Sequence, residues 1–165
     1  MNYYVLFAQT QLCERFVSVL NKNKNIIAFI PKMEVYRRDS SEYVLEVMFP
    51  GYVFIKTEMN QLDFDQFLVD LQEQKKGFIK ELKREEVSCL TDEEIDFLND
   101  FLDETYILRM SYGTKIGGRS IPYEGPLVKY MNYIKRVNFY RNIAYLDIEF
   151  MNRDIMVGFT VKKAD

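Results

Sequence analysis

Residues that commonly carry out acid–base, nucleophilic or metal chemistry are scarce in this 165-residue chain. Histidine is absent, which removes the commonest general base and metal ligand and every Ser-His or Cys-His nucleophile pair. The two cysteines, Cys13 and Cys89, lack the close spacing of metal ligands, and we expect them to be buried thiols. The sequence therefore predicts no catalytic residue, no metal site and no cofactor.

Carboxylates are the remaining candidates for catalysis, and they cluster where two helices are predicted to begin. Residues 92–94 are Asp-Glu-Glu and follow Thr91, which forms the sequence pattern of a capping box with Glu94. Asp63 and Asp65 stand at the start of an earlier predicted helix. Because acidic residues in a first helical turn stabilise the helix dipole, these carboxylates need no catalytic role. We therefore expect a binding protein and not an enzyme.

The apolar pattern of the first 105 residues predicts an α+β domain. Apolar residues at helical spacing predict amphipathic helices, and short apolar or aromatic runs predict strands between them. The predicted helices cover residues 11–21, 62–75 and the stretch after Thr91. The predicted strands cover residues 3–8, 26–30, 43–57 with a kink at Pro50-Gly51, and 78–82. The order β-α-β-β-α-β with an added helix is that of a ferredoxin-like sandwich.

The sequence pattern changes after residue 106. Glycines cluster between residues 113 and 118, which predicts a flexible linker over residues 106–118. Alternating apolar and polar residues over 143–150 predict a strand with one solvent-facing side. Further strands are predicted over residues 119–123, 133–137 and 154–159. Several short strands in so small a segment predict an SH3-like β-barrel.

The charge of the chain is divided between its two parts. Residues 1–105 carry 12 Lys and Arg against 20 Asp and Glu, a net charge of −8, and residues 106–165 carry 10 against 5, a net of +5. Such asymmetry suggests separate partners, with the basic part the candidate for nucleic acid. Unevenly scattered solubility charge is the alternative explanation.

The chain shows no sign of membrane insertion or export. Its longest apolar runs are about five or six residues, far below the roughly 20 that a membrane-spanning helix needs. The segment from Met1 to Phe7 lacks the basic lead and cleavage site of a signal peptide. We expect a cytoplasmic monomer with no membrane partner.

Two sets of motifs carry a resemblance to a known family. Phe49-Pro50-Gly51-Tyr52-Val53-Phe54-Ile55, together with Tyr3-Tyr4-Val5-Leu6 and Ile30-Pro31, resembles the N-terminal (NGN) domain of the NusG family. Glu124-Gly125-Pro126-Leu127 and Ile143-Ala144-Tyr145-Leu146-Asp147-Ile148-Glu149 resemble the KOW domain that usually follows. The resemblance implies an NGN domain over residues 1–105, a linker over 106–118 and an SH3-like KOW domain over 119–165.

The NusG family consists of transcription elongation factors, and the resemblance implies the same role here. Its NGN domain docks on the clamp helices of RNA polymerase, and its KOW domain reaches nascent RNA, a small-subunit ribosomal protein or the termination factor Rho. General members carry tryptophan near the first strand, where this chain has Tyr3. The chain therefore resembles the specialised LoaP-type antiterminators.

The resemblance places polymerase binding on an aromatic set at the first strand and the Phe-Pro-Gly motif. Alternation puts Val53 and Ile55 on one face of their strand, and the aromatic residues on the other face could form a recess for a partner's helix. The alternative is that these rings are simply core. The predicted RNA polymerase-binding residues are Phe7, Phe49, Tyr52 and Phe54.

Two nucleic-acid surfaces follow from the resemblance in the same way. At the start of the first helix, the predicted non-template DNA-binding residues are Gln9, Thr10, Gln11 and Arg15, and an ordinary helix end is the alternative. The predicted RNA-binding residues are Arg119, Lys129, Lys135, Arg136, Arg141 and Arg153. Residues 139–142, Phe-Tyr-Arg-Asn, replace a basic hairpin of many relatives and could stack on unpaired bases or contact a protein.

A second functional reading stays open at this point. The chain could be an RNA-binding or ribosome-associated KOW protein that acts without polymerase. Binding to hairpin RNA in the absence of polymerase would favour it, and salt sensitivity should then follow the basic half.

Overall fold

The computed structural model describes residues 1–85 and 87–163, which form two compact units. Unit 1 comprises Met1–Pro31 and Met48–Ile95, and unit 2 comprises Lys32–Val47 and the chain from Asp96 onward. The strands are β1 (Asn2–Ala8), β2 (Ile26–Phe29), β3 (Lys32–Arg37), β4 (Glu42–Val47), β5 (Tyr52–Thr57), β6 (Phe78–Arg84), β7 (Val87–Ser88), β8 (Ile107–Leu108), β9 (Ser111–Ile116), β10 (Arg119–Glu124), β11 (Ile134–Asn138), β12 (Ile143–Phe150) and β13 (Arg153–Lys163). The α-helices are α1 (Cys13–Leu20), α2 (Gln61–Asp70) and α3 (Asp92–Phe101). None of the described helices is long and apolar enough to cross a membrane.

The sheet of unit 1 has the strand order β2-β5-β1-β6-β7. α1 connects β1 to β2 and α2 connects β5 to β6, so each helix joins two strands that are separated by a third. The pairings of β5 with β1 and β2, and of β1 with β6, are antiparallel. This is the split β-α-β order, and it confirms the ferredoxin-like arrangement predicted for these elements.

Alternation along β1 and β5 separates the two faces of this sheet. Tyr4 on β1 and Val53 and Ile55 on β5 lie in one apolar core with the helices. Tyr4 stacks on Phe64 of α2 with ring centroids 4.2 Å apart. The helical side chains in this core are Cys13, Phe16 and Leu20 of α1 and Phe64 and Leu68 of α2.

Helix starts in the structure agree with the roles predicted for the acidic clusters. The Thr91 amide donates to Glu94 Oε1 at 3.0 Å, and the Glu94 amide donates to Thr91 Oγ1 at 3.2 Å, which completes the capping box. At α2, Asn60 is the N-cap and its Oδ1 accepts from the Asp63 amide at 2.8 Å. The capping box is confirmed.

The third predicted strand, residues 43–57, is wrong as a single element because the chain turns at Pro50-Gly51. Gly51 has a φ of +88°, and a Cβ there would lie 2.8 Å from the Phe7 ring, so the turn requires glycine. After the turn, β5 enters the sheet of unit 1. Before it, β4 pairs with β3 in a three-stranded sheet of unit 2 with the order β4-β3-β8.

The larger sheet of unit 2 has the order β10-β9-β13-β12-β11. β9 falls within the segment predicted to be a linker or loose loop, and in the structure it is a strand that pairs with β10 on one side and β13 on the other. Gly113 serves close packing here, since a Cβ would lie 2.7 Å from the Phe159 ring. The domain boundaries at residues 105 and 119, and the SH3-like barrel, stay predictions.

One carboxylate organises the chain between α3 and β8 in unit 2. Asp103 Oδ1 accepts from the Thr105 amide at 2.8 Å, the Thr105 hydroxyl at 2.7 Å and the Ile107 amide at 3.1 Å. Asp103 Oδ2 accepts from Arg109 Nε at 2.8 Å. Burial by itself would raise the pKa of Asp103, but these hydrogen bonds outweigh it and lower the pKa to about 2.

We predict that Asp103→Ala destabilises the chain by about 1.5–3 kcal/mol, the range typical of hydrogen bonds to a charged group. Urea unfolding followed by circular dichroism measures the change. Asp96→Ala is the matched control, because Asp96 is exposed on α3, and its effect should stay within about 0.5 kcal/mol. Equal stability of the two variants would contradict the organising role of Asp103.

Candidate binding surfaces

The sheet face of unit 1 that points away from α1 and α2 is aromatic. On this face Phe7 pairs across the strands with Tyr52, and Val5 pairs with Phe54. The Phe7 and Tyr52 rings are 5.5 Å apart, and the Phe54 ring lies 5.7 Å from that of Phe49. The structure thus brings all four predicted polymerase-binding residues to one face.

These four residues differ in how much of each ring reaches solvent. Phe54 is 0% exposed and Phe49 is 3% exposed, so both rings are core side chains of this face. Phe7 and Tyr52 are half-buried. A partner could therefore touch Phe7 and Tyr52 directly, whereas the rings of Phe49 and Phe54 are buried too deeply for direct contact. Polymerase binding by the four residues stays a prediction.

The predicted DNA-binding residues lie together at the end of β1. Gln9, Thr10, Gln11 and Arg15 are all exposed. A 3-10 turn occupies Thr10–Leu12, so α1 begins at Cys13, two residues later than predicted. The Gln9 amide donates to the Gly77 carbonyl at 2.8 Å, which ties this turn to the start of β6. The surface is open and polar, and its contact with DNA stays a prediction.

The six predicted RNA-binding cations are exposed, but several have partners within unit 2. Lys129 forms an ion pair with Asp100 at 2.9 Å, and Lys135 forms one with Asp154 at 2.8 Å. The Arg136 guanidinium lies 4.1 Å from the centroid of the Tyr145 ring. Paired cations attract phosphate less strongly, so the net charge of residues 106–165 overstates how strongly they can bind RNA. RNA binding by the set of six stays a prediction.

Sequence reasoning missed three further cations of unit 2. Arg37 is the last residue of β3, Arg38 follows it in a turn, and Lys115 lies on β9, within the segment predicted to be a linker. Arg38 Nη2 donates to the Phe139 carbonyl at 3.0 Å, and Arg37 Nη2 lies 3.1 Å from Glu46 Oε1. The adjacent arginines were visible in the sequence, but the pairing of their strand with β4 and β8 was not.

A pair of carboxyl groups in unit 1 was also missed. Gln61 Nε2 donates to Asp65 Oδ1 and to Glu81 Oε2, each at 2.8 Å, and Lys83 Nζ donates to Asp65 Oδ2 at 2.8 Å. Burial and a hydrogen bond with Asp65 raise the pKa of Glu81 to about 7. Burial alone would raise the pKa of Asp65, but its hydrogen bonds with Glu81, Lys83 and Gln61 lower it. Of the two carboxyl groups, Glu81 is therefore the one that carries a proton below about pH 7.

The acidic groups of the described residues do not form a metal centre. Among residues 1–85 and 87–163, no three Cys, Asp or Glu side chains converge so as to hold a metal ion. The carboxyl pair is better understood as a structural link between α2 and β6, since its members lie on those two elements.

Comparison with known proteins identifies a family for the larger part of the chain. Residues 1–99 match the NusG family model, which is described as transcription termination factor nusG. No curated protein matches the chain at a significant level. The match covers more than half of the chain and includes every described residue of unit 1.

We predict that the stability of the chain falls as the pH rises from about 5 to about 8, because Glu81 must lose its proton. The pKa of Glu81 is about 7 in the folded chain against an ordinary value of 4.5, so its stabilising contribution is complete below pH 4.5 and is lost as the pH passes 7. Allowing for solvent screening, the contribution is about 1–2 kcal/mol. Thermal unfolding at several pH values measures it.

Glu81→Gln mimics the protonated carboxyl and should flatten this pH dependence. Glu93→Gln, which changes an exposed carboxylate on α3, is the matched control and should leave it intact. A pH dependence that survives in Glu81→Gln would show that another group is responsible.

Proposed function

The chain belongs to the NusG family of transcription factors, and we propose that it binds elongating RNA polymerase through unit 1 and acts as a LoaP-type antiterminator. The observation that carries the proposal is the family match over residues 1–99, which includes every described residue of the unit that presents the aromatic face. NusG family proteins bind RNA polymerase. The chain would act by contact and not by catalysis.

The aromatic face supports docking on the clamp helices of polymerase. Phe7 and Tyr52 supply half-buried rings on a sheet whose other face is filled by α1 and α2. Aromatic rings with few rotatable bonds provide a large contact area at low entropic cost, as the centres of protein interfaces do. Phe54 is buried on the same face, where its ring lies 5.7 Å from the rings of Phe29 and Phe49.

A second contact would come from the C-terminal part of the chain, which we propose to be a KOW domain over residues 119–165. Its exposed cations and aromatics suit nascent RNA, and a small-subunit ribosomal protein or Rho are the protein partners that the family suggests. The exposed turn at Gln9, Thr10, Gln11 and Arg15 would face the non-template DNA strand. Several weak sites on one chain gain avidity because each raises the effective concentration of the others.

The antiterminator assignment rests on residue identity near the first strand. Tyr3 stands where general members carry tryptophan, and the whole chain contains no tryptophan. The competing proposal is an RNA-binding or ribosome-associated KOW protein that needs no polymerase. The exposed Phe139 and Tyr140 favour it, because they suit RNA contact without any help from unit 1.

We predict that Tyr52→Ala weakens binding to RNA polymerase about tenfold, the loss expected for an aromatic residue at an interface centre. Tyr52→Phe should retain binding, because the ring provides the contact. Co-purification with tagged polymerase, followed by a quantitative binding assay, measures both variants.

Tyr123→Ala is the matched control, since Tyr123 is a 54% exposed tyrosine in unit 2. Phe54→Ala is unsuitable as a probe, because emptying a fully buried aromatic site costs about 3–5 kcal/mol of stability. Wild-type binding by a folded Tyr52→Ala variant would overturn the docking proposal.

A further inference from the structure

The turn between β11 and β12 holds two aromatic rings in solvent. Phe139 is 46% exposed and Tyr140 is 75% exposed. A local hydrogen bond stabilises the turn, since the Arg141 amide donates to Asn138 Oδ1 at 3.0 Å. Asn142 closes the turn in the left-handed region, with a φ of +55°. Large rings presented on an ordered turn are unusual unless something covers them.

Each of these rings is accompanied by a cation from elsewhere in unit 2, one in the turn after β3 and one on β9. The Arg38 guanidinium lies 5.4 Å from the centroid of the Tyr140 ring, and Lys115 Nζ lies 5.2 Å from that of Phe139. Both distances are within the range of cation–π attraction. Arg38 is further fixed by its hydrogen bond to the Phe139 carbonyl at 3.0 Å.

These cations keep their charge available. Within residues 1–85 and 87–163, no carboxylate forms an ion pair with Arg38, Lys115 or Arg141. Arg141 Nη1 instead lies 3.5 Å from the Tyr145 hydroxyl. Arg38, Lys115 and Arg141 differ in this respect from Lys129 and Lys135, each of which forms an ion pair with a carboxylate.

A hollow lies on each side of the turn, and Arg38 lines both. One, of about 290 Å³, is lined by Arg37, Arg38, Tyr140 and Arg141 together with Asp39 and Glu46. Glu46 is occupied by its ion pair with Arg37. The other, of about 320 Å³, is lined by Arg38, Lys115, Phe139 and Asn142. Tyr140 therefore lines the first hollow and Phe139 the second.

We propose that Phe139, Tyr140, Arg38, Lys115 and Arg141 form a binding site for unpaired nucleotides of single-stranded nucleic acid. Bases would stack on the Phe139 and Tyr140 rings, and backbone phosphates would lie against the three free cations. A duplex does not fit, because its base faces are already stacked on each other. The site rests on the proposed function only in that unit 2 meets nucleic acid.

The test measures binding of the full chain to fluorescein-labelled oligonucleotides of about 12 nucleotides, a length in the range of known single-strand sites. The probes are RNA and DNA strands of one sequence and an RNA hairpin, and no polymerase is present. Fluorescence anisotropy at several salt concentrations gives the dissociation constants.

We expect the single strands to bind and Tyr140→Ala to weaken that binding about tenfold, with Tyr140→Phe close to wild type. Arg38→Gln should lower the slope of log affinity against log salt by about 0.7 for one lost phosphate contact. Tyr123→Ala and Lys22→Gln change an exposed tyrosine and an exposed cation elsewhere, and they should bind as wild type does.

Stronger binding of RNA than of DNA would support the site and indicate that its ligand is a transcript. Stronger binding of DNA would support the site and indicate that its ligand is a displaced DNA strand. Preference for the hairpin, absence of single-strand binding, or unchanged binding by Tyr140→Ala would each overturn it. The polymerase assay with Tyr52→Ala tests the docking of unit 1 separately, so failure of one proposal does not resemble failure of the other.

Discussion

The antiparallel pairing of β1 with β5 sets the geometry on which the docking surface depends. Its register places Val5 opposite Phe54 and Phe7 opposite Tyr52. Because side chains alternate along a strand, this register sends Val53 to the helices and the aromatic residues to the other face, and a shift of one residue would exchange the faces. Gly51 allows β5 to begin directly against the Phe7 ring. The same strand register therefore determines both the apolar core and the candidate binding surface.

Unit 2 fixes its functional groups by a different means. Its exposed rings stand on a turn, and cations from the turn after β3 and from β9 contact those rings through cation–π interactions. β9 is held by close packing, because Gly113 lies directly against the Phe159 ring. Ion pairs elsewhere weaken the attraction of Lys129 and Lys135 for phosphate. Local pairing therefore decides which part of a basic segment can act on a ligand.

Much of unit 1 could be predicted from the sequence, because periodicity reports which side of an element is buried. The capping box at Thr91 and the alternation of β5 were read correctly for that reason. Pairing between strands that are distant in sequence cannot be predicted from periodicity. The sequence therefore predicts that β4 continues into β5, and it places β9 in a linker. Gly113 suggested a flexible segment because glycine occurs both in flexible segments and where elements pack closely. Its closeness to the Phe159 ring, which identifies it as a packing residue, is visible only in the structure. The Arg38 site was missed because it depends on pairing between distant strands.

Single-round transcription with purified RNA polymerase on a template that carries one intrinsic terminator tests the central claim most directly. The account predicts that adding the chain raises the fraction of transcripts that read past the terminator, and that a folded Tyr52→Ala variant does so less well. An unchanged fraction would contradict action on the elongating enzyme. A reduced fraction would contradict antitermination while leaving family membership intact.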